Sequence, residues 1–477
     1  MRPIRIAIAA AAVLALTLAP AAASAGQIVW VKSGAGGSTS LWAANDDGTY
    51  PHEIAASSSP ALAVPLPQAV IASPDLFPSA GSTVLFTAST TTFGAPGCNG
   101  GACALTFSLS GGVLARQSPL APTLPSGDVI ETQPRLIGSR AMAYSYSVYP
   151  NATQSAPGAA SPSGIYTRAL GTQPASAAGT PWSNTASETL APLVGPAPDP
   201  ANSAVLAWVE NQDPSCTVFI FRAAAACQYA VRVGTSAAAP AAPVAAFDDE
   251  TPFGHGPTSL SWSSNGRTLL IVDDQPPNDG IYTIAASTAV NPGTKTVTEV
   301  LAEPPGWVFG QARFAGSKIV FDARGGGHST AGTSDIYSVS TGCDSGSCAF
   351  PLNAANLTRD AAANNVDPTW TAAAAPILGL GQNAPSSPSL LAAQLESRTV
   401  TAKQGVTFAV TLAASATLSV SVSGLGSEHV RHGAGEAIIT VKSIGGHSLG
   451  KGRHTAAVKI VGAASGRRSY SATVTVR

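Results

Sequence analysis

The sequence predicts an all-β protein, in which a six-bladed β-propeller is followed by a small antiparallel β-sandwich. Two series of short apolar segments recur six times each, and the first series recurs at intervals of 50 to 64 residues. The segments between them are rich in Gly, Pro, Ser and Thr, which is typical of turns and loops. Beyond residue 393 the chain changes to short runs that alternate apolar and polar residues, as half-buried strands do.

The composition argues against a nucleic-acid-binding protein. Charged residues make up 11% of the 477 residues, whereas about 25% is usual in soluble domains. The 25 Lys and Arg balance the 26 Asp and Glu, so the formal net charge is −1. Such a chain has no basic field that would attract phosphates.

The N-terminal segment predicts export. Arg2 and Arg5 precede an apolar run from Ile6 to Leu18, and Ala23-Ser24-Ala25 has the small residues that a signal peptidase recognises. We therefore expect residues 1–25 to be a signal peptide and the protein to be secreted, periplasmic or on the cell surface. The alternative is an N-terminal membrane anchor, but the apolar run is short for a span. We expect no membrane span after the signal is removed.

The first series of apolar segments predicts strands that are covered on both faces. These segments are IVWVKS from Ile28, TVLFTAS from Thr83, AMAYSYS from Ala141, AVLAWVE from Ala204, TLLIVDD from Thr268 and KIVFDAR from Lys318. Their nearly continuous apolar character is unlike the alternation of a sheet with one wet face. A ring of small sheets, each lying between two neighbours, satisfies this pattern, and such a ring is a β-propeller.

The second series supplies a further strand in each repeat. Its members are SLWAAND from Ser40, CALTFSL from Cys103, GIYTRAL from Gly164, CQYAVRV from Cys227, GIYTIAA from Gly280 and DIYSVST from Asp335. The fifth and sixth repeats begin with an inner strand before the first series, whereas IVWVKS has none before it. The segment VDPTWT from Val366 supplies the missing strand after the last repeat. We predict that it pairs with the first strand and closes a propeller over residues 26–378, which removes an exposed edge.

The same segments resemble the TolB-like, WD-repeat-like propeller repeat. The resemblance rests on SLSWSSNGRTLLIVDD from Ser259, NDDG from Asn45, SPD from Ser73, and DIYSVST with NLTRDAAANNVDPTW between Asp335 and Trp370. It covers residues 27–375, is strongest in the fifth and sixth repeats, and is faint in the third and fourth, which lack the Ser-Pro-Asp turn. The bacterial TolB protein carries an additional N-terminal domain before its propeller. In this chain, the first strand begins almost at the predicted cleavage site. The resemblance therefore implies a six-bladed fold and not a place in the Tol envelope machinery.

The C-terminal residues predict a second domain. Residues 379–392 are rich in Pro, Ser and Gly and are expected to form a linker. Residues 393–477 contain six or seven short alternating strands, which favours an antiparallel β-sandwich. The segments LGKGRHTAAVKIVG and GRRSYSATVTV resemble the immunoglobulin-like or fibronectin-like modules of bacterial surface proteins.

The six cysteines predict disulfides in an exported protein. They form three close pairs along the sequence, and pairing each with its neighbour is the simplest of 15 connectivities. A zinc site is the less favoured alternative, because no histidine pair stands beside the cysteines. The predicted disulfides are Cys98–Cys103, Cys216–Cys227 and Cys343–Cys348.

The loops between blades supply a candidate binding site. By propeller geometry, the long connections between the two series lie on the same face as the blade-to-blade connections, and ordered loops commonly carry binding residues. The candidate residues at this mouth of the channel are Asp248, Asp249, Glu250, His255, Arg359, Asp360 and Asp367. Solvated, turn-capping aspartates are the alternative interpretation. Binding of a calcium ion by these carboxylates is a further interpretation, but the sequence has no D-x-D-x-D-G loop to support it.

These observations favour a secreted, non-enzymatic binding protein that recognises a protein or a glycan. The sequence contains neither G-x-S-x-G nor H-E-x-x-H and has no Gly-rich phosphate loop. We expect a monomer with no metal and no cofactor. The alternative is a propeller hydrolase or lyase that acts on glycans or peptides through carboxylates and His255 at the channel mouth.

Overall fold

The fold is nearly all-β. The structure is a computed structural model that describes residues 26–34, 36–78, 82–149, 163–182, 194–211, 227–235, 245–249, 257–273, 279–285, 297–325, 333–343, 348–360, 363–372, 377–380, 390–395, 397–412, 416–432, 435–461 and 469–477. Within these ranges, 34 strands accompany a one-turn α-helix, α1 (Pro60–Ala63), and a 3-10 turn (Ala121–Thr123). No helix in the described residues is long and apolar enough to cross a membrane.

The first sheet joins the two ends of the repeat region. In order across the sheet, its strands are β24 (Asn364–Thr371), β1 (Gln27–Ser33), β2 (Thr39–Asn45) and β3 (His52–Ala56). Ile28 pairs with Trp370, and Ser33 pairs with Asn364. The prediction that VDPTWT pairs with the first strand is confirmed.

The next eight strands form one sheet that contains two units. They are β4 (Val70–Leu76), β5 (Val84–Thr90), β6 (Gly100–Ser110), β7 (Val113–Arg116), β8 (Gly127–Ile137), β9 (Ala141–Tyr149), β10 (Ser163–Ala169) and β11 (Thr180–Pro181). The strand order is β11-β10-β9-β8-β6-β5-β4, with β7 paired to β6. All pairings are antiparallel except that of β6 with β8, which is parallel and joins the two units. This junction was not expected from the sequence.

Three four-stranded antiparallel sheets follow. The third sheet contains β12 (Val194–Asp199), β13 (Asn202–Asn211), β14 (Cys227–Thr235) and β15 (Ala245–Asp249). The fourth contains β16 (Pro257–Trp262), β17 (Thr268–Asp273), β18 (Gly280–Ala285) and β19 (Thr298–Ala302). The fifth contains β20 (Trp307–Ala315), β21 (Lys318–Gly325), β22 (Ser334–Ser340) and β23 (Ala355–Asn356). Each sheet follows chain order.

Six strands meet at the centre of this region, and we call them the inner strands. They are β4, β8, β12, β16, β20 and β24, each of which contacts the next, while β24 also contacts β4. Among the described strands, no single sheet closes on itself. The contacts between sheets bring the first and last inner strands together.

The second strands of the units are buried on both faces, as the sequence predicts. In β17, Leu269 packs in a cluster with residues of the third sheet, whereas the adjacent Leu270 packs in a cluster with residues of the fifth. In β21, Val320 and Phe321 likewise belong to different clusters. Apolar residues at successive positions therefore fill the two spaces on either side of the strand.

The C-terminal region forms two larger sheets and a short hairpin. A three-stranded sheet contains β25 (Leu390–Leu395), β27 (Val406–Leu412) and β30 (Gly435–Val441). A five-stranded sheet contains β26 (Thr399–Val400), β34 (Ser469–Val476), β33 (Gly452–Ile460), β28 (Ala416–Val422) and β29 (Gly426–His432), and β31 (Ser443–Ile444) pairs with β32 (His447–Ser448). Phe408 of the three-stranded sheet shares one buried cluster with Leu418 and Val458 of the five-stranded sheet.

Two of the three predicted disulfides are confirmed. Cys98 is bonded to Cys103, and Cys343 is bonded to Cys348. Cys216, in the third predicted pair, lies outside the described residues. The predicted signal peptide also lies outside them.

Candidate functional site

The inner strands surround a cavity of about 50 Å³. Every inner strand contributes to its lining, and six of the lining residues, one from each strand, are Asp75, Arg135, Ala197, Ser261, Arg313 and Thr369. Leu76, Leu136, Pro198, Trp262, Phe314 and Trp370, which follow these six residues, line it as well. The inner strands therefore run in the same direction past the cavity. The cavity lies toward their C-terminal ends, where short turns such as residues 263–267 and 316–317 begin. We call this side the turn face and the opposite side the loop face.

Irregular pairing marks the inner strands on the loop-face side of the cavity. Each inner strand has a register shift against its neighbour, and a β-bulge re-aims the side chains that follow it. Ser73, Gln133 and Asp367 adopt left-handed backbone with φ of 50°, 49° and 55°, which is uncommon for residues other than Gly. Each of the three precedes a proline in the sequence.

The bulges connect neighbouring sheets by hydrogen bonds. The Ser73 amide donates to Asp367 Oδ2 at 3.0 Å, and the Gly195 amide donates to Gln133 Oε1. Gln311 Nε2 donates to the Thr258 carbonyl at 2.7 Å. Backbone groups that a bulge removes from the sheet ladder are thus satisfied by side chains of the adjacent inner strand.

Buried charges of both signs line the cavity. Arg135 Nη1 lies 3.8 Å from Asp75 Oδ1, and the Leu136 amide donates to Asp75 Oδ2 at 2.8 Å. Burial raises the pKa of Asp75, against the opposing effect of Arg135 and Arg313. Burial also lowers the pKa of Arg313 to about 9, and the charge of Arg135 acts in the same direction. The charged forms are disfavoured because little water reaches them.

A second carboxylate lies beside this group but does not line the cavity. Asp322 Oδ1 accepts from the Gln311 amide at 2.8 Å and from the Asp367 amide at 3.2 Å. Burial, and then the charge of Asp367, raise the pKa of Asp322 to about 8. Asp322 therefore holds a proton at neutral pH and tethers two inner strands through their backbone.

The loop face is ordered around the first disulfide. It includes residues 57–69, 91–99 and 117–126, which connect strands on this side. The Gly97 amide donates to the Pro65 carbonyl at 2.8 Å, and Asn99 Nδ2 donates to the Leu124 carbonyl at 2.8 Å. Leu62 and Leu124 anchor these connections in the core. The three segments thus form one connected surface.

This surface exposes large apolar side chains. Val64 is 71% exposed, Phe93 is 58% exposed and Leu120 is 51% exposed, and each comes from a different one of the three connections. Exposed apolar side chains are common singly, and loops on a rigid scaffold often carry binding residues.

The structure places only part of the predicted site. Glu250 and His255 lie outside the described residues, and only the backbones of Asp248 and Asp249 are described, at the end of β15. Asp360 Oδ2 lies 2.6 Å from Lys32 Nζ, and the exposed Arg359 donates from Nε to the Asn356 carbonyl. These two lie in the connection that follows β23, on the loop face. The role of this set as a binding site stays a prediction.

Asp367 lies in the inner strand β24, within the segment VDPTWT that the sequence predicts to be a strand. Its carboxylate accepts from the Ser73 amide, and its amide donates to Asp322. Asp75, Arg135 and Arg313 were not anticipated as neighbours of Asp367. A shared signal was present, because Ser73-Pro74, Gln133-Pro134, Gly195-Pro196 and Asp367-Pro368 stand in corresponding parts of four inner strands.

Another buried ion pair lies within the eight-stranded sheet. Arg168 donates from Nη1 and Nη2 to the two carboxylate oxygens of Glu131 at 2.9 and 2.5 Å. The Ser118 hydroxyl also donates to Glu131, and the Arg168 guanidinium lies 4.3 Å from the Tyr144 ring centre. Both carboxylate oxygens are paired, so this cluster is built to stabilise the sheet. Among the described residues, no group of His, Cys, Asp or Glu is arranged to hold a metal.

Comparisons with known proteins identify no family. No family model matches the sequence, and no curated protein matches it. A chain of a nidogen/laminin complex matches with 11% identity and a TM-score of 0.37, over 72% of this chain and 97% of that one. An exo-β-1,3-galactanase from Phanerochaete chrysosporium matches with 13% identity and a TM-score of 0.29, over 79% and 90%. Prolyl oligopeptidase B from Galerina marginata matches with 10% identity and a TM-score of 0.31, over 85% of this chain and 51% of that one.

Proposed function

We propose that the protein is a secreted, non-enzymatic binding protein whose loop face recognises a protein or a glycan. In this proposal, residues 26–378 are a six-bladed, TolB-like β-propeller and residues 393–477 are an immunoglobulin-like or fibronectin-like sandwich that acts as a spacer or second contact. The cyclic contacts of the inner strands support six blades. The buried cluster shared by the two C-terminal sheets supports the sandwich.

The observation that carries this proposal is the connected loop face with exposed apolar residues. Three connections are joined by hydrogen bonds, and one of them is closed by Cys98–Cys103. An ordered surface loses little conformational entropy when it binds. Val64, Phe93 and Leu120 supply apolar contact area on this surface, which favours a protein partner, whereas the predicted Asp248, Asp249 and His255 would add polar contacts.

The described inner-strand charges favour a structural role over acid–base catalysis. Asp322, Asp367 and Asp75 each accept a backbone amide, and a general acid or base must instead reach the substrate. Disulfide-bonded cysteines suit the oxidising compartments that an exported protein meets.

Affinity capture from the envelope and medium of the source organism tests the proposal. The bait is the purified protein, compared with a V64S/F93S/L120S variant and with a control variant, V113S/L352S, whose exposed apolar residues lie on the turn face. We expect a partner that the wild type and the control retain and that the loop-face variant loses. If all three baits retained the partner equally, the loop face would be excluded as the surface that binds it. Turnover of a glycan or peptide that is lost in H255A or D248A/D249A would instead support the hydrolase or lyase alternative.

A further inference from the structure

The cavity between the inner strands has the composition of a small binding site. At about 50 Å³, it exceeds the roughly 10–15 Å³ of accessible volume that a cavity needs to hold one water. It therefore has room for a small polar group. Two arginines and one carboxylate line it together with Ser261 and Thr369.

Arg135 has few hydrogen-bond partners among the described residues. A guanidinium has five N–H donors, yet the hydrogen bond that Arg135 makes in the described part of the chain is a long one of 3.5 Å to the Pro134 carbonyl. Its other interactions are electrostatic, with Asp75 at 3.8 Å and with Asp367. Its Nε is buried and has no partner among the described residues. Buried donors are rarely left without an acceptor. Arg135 is therefore poised to bind an acceptor that enters the cavity.

Arg313 adds a second positive charge, and no carboxylate among the described residues accepts a hydrogen bond from it. Its Nη1 donates to Ser259 Oγ and to the Ala312 carbonyl, both at 2.8 Å. These neutral oxygens fix the guanidinium and leave its charge in place. The one carboxylate that lines the cavity, Asp75, directs Oδ2 to the Leu136 amide. The described groups that line the cavity thus include two cations and one anion, and Asp367 acts on both arginines from outside this lining.

Apolar rings surround the turn-face side of the cavity. Phe77, Phe314, Trp262 and Trp370 line it together with Pro78 and Pro198. Trp262 is held by its Nε1 donating to the Ala197 carbonyl at 2.8 Å. A ligand that places a negatively charged group at the arginines would place its remainder against these rings, so its remainder should be apolar or planar.

We propose that Arg135 and Arg313 bind a carboxylate whose apolar remainder packs on the aromatic residues at the turn face. The planar carboxylate matches the planar fork of the arginine side chain. This site is separate from the loop face and does not depend on the proposed function. A small aromatic acid and the C-terminus of a peptide carry the same group, and the test distinguishes them.

Titration of the purified protein with phenylacetate and with N-acetylphenylalanine tests the site. Calorimetry measures the affinity, and the fluorescence of Trp262 and Trp370 reports on the cavity. We expect saturable binding of at least one acid. Neutral phenylacetamide should bind with an affinity at least about tenfold lower than that of phenylacetate, because a charge-assisted hydrogen bond contributes about 1.5–3 kcal/mol. Tighter binding of N-acetylphenylalanine would indicate a peptide C-terminus, and tighter binding of phenylacetate a small acid.

Variants separate this site from other surfaces. We expect R135Q to weaken binding of the acid about tenfold or more and R135K to have an intermediate effect. R267Q, which removes an exposed arginine from a turn on the same face, should bind as the wild type does. The loop-face variant V64S/F93S/L120S should also bind normally, so failure of one proposal leaves the other intact. Equal binding of phenylacetamide, or no saturable binding by the folded wild type, would overturn the proposal even if R135Q does not fold.

Discussion

Asp322 should make the stability of the repeat region fall as pH rises. Its pKa is raised from 3.8 to about 8 in the folded protein, first by burial and then by Asp367. Between these values the folded protein retains a proton that the unfolded chain has released. Folding then takes up a proton, so the stabilising contribution is complete below about pH 4 and is lost as pH rises through about 8.

The size of this effect follows from the two pKa values. A difference of about four units at about 1.36 kcal/mol per unit corresponds to about 5 kcal/mol across the whole range. Asparagine cannot titrate, but its Oδ1 can still accept the two amides that Asp322 Oδ1 accepts, those of Gln311 and Asp367. D322N therefore imitates the protonated carboxyl. We expect D322N to match the wild type near pH 4 and to be more stable by several kcal/mol near pH 9.

Urea unfolding followed by tryptophan fluorescence measures this effect. All seven tryptophans lie between Trp30 and Trp370, so the signal reports on the repeat region and not on the C-terminal sheets. The control is D47N, which changes an exposed aspartate in the turn after β2 that accepts from Thr49. Parallel stability curves for D322N and the wild type from pH 4 to 9 would refute the assignment of a proton to Asp322.

Three further predictions test how the chain ends, the loop face and the buried ion pair stabilise the fold. A chain ending at Asn365 loses six of the eight residues of β24 and should unfold cooperatively at lower temperature than a chain ending at Ser389, because β24 pairs with β1 and contacts β4 and β20. Equal melting temperatures would contradict closure by this strand. C98S/C103S should lower the free energy of unfolding by about 2 kcal/mol, the entropy of closing a loop of six residues, and an unchanged value in urea would show that the disulfide does not stabilise the loop face. E131Q leaves Arg168 buried without a charged partner and should lower the free energy of unfolding by about 3–5 kcal/mol. A decrease of less than about 1 kcal/mol in the same urea assay would show that the ion pair does not stabilise the fold.

The sequence predicted the strands more completely than their side-chain directions. Both series of apolar segments are strands in the structure, and the closing segment pairs with β1. These features depend on hydrophobic pattern and turn residues, which can be read locally. The parallel pairing of β6 with β8 could not be read in this way, because it joins strands from two repeats.

The central charges escaped prediction for a physical reason. Side-chain direction alternates along a regular strand, but a bulge inserts a residue and resets the alternation. Asp75 and Arg135 each follow such a bulge, so their burial cannot be derived by counting along the strand. Asp367 itself lies within one, so its contacts with the Ser73 amide and with Asp322 could not be derived in that way either.

The x-Pro bulges also explain how units with different sequences keep one arrangement. Apolar packing between sheets tolerates changes of residue, and it does not by itself fix how far one inner strand is shifted along its neighbour. A hydrogen bond from a bulge amide does fix this shift, because the acceptor on the neighbouring inner strand must lie directly opposite the amide. Asp367 with Ser73 sets the shift between β24 and β4, and Gln133 with Gly195 sets it between β8 and β12. Once the inner strands are held in this way, the residues that follow each bulge are brought to the same level. Arg135 and Arg313, which no carboxylate pairs by hydrogen bonding, consequently line one cavity although 178 positions separate them in the sequence.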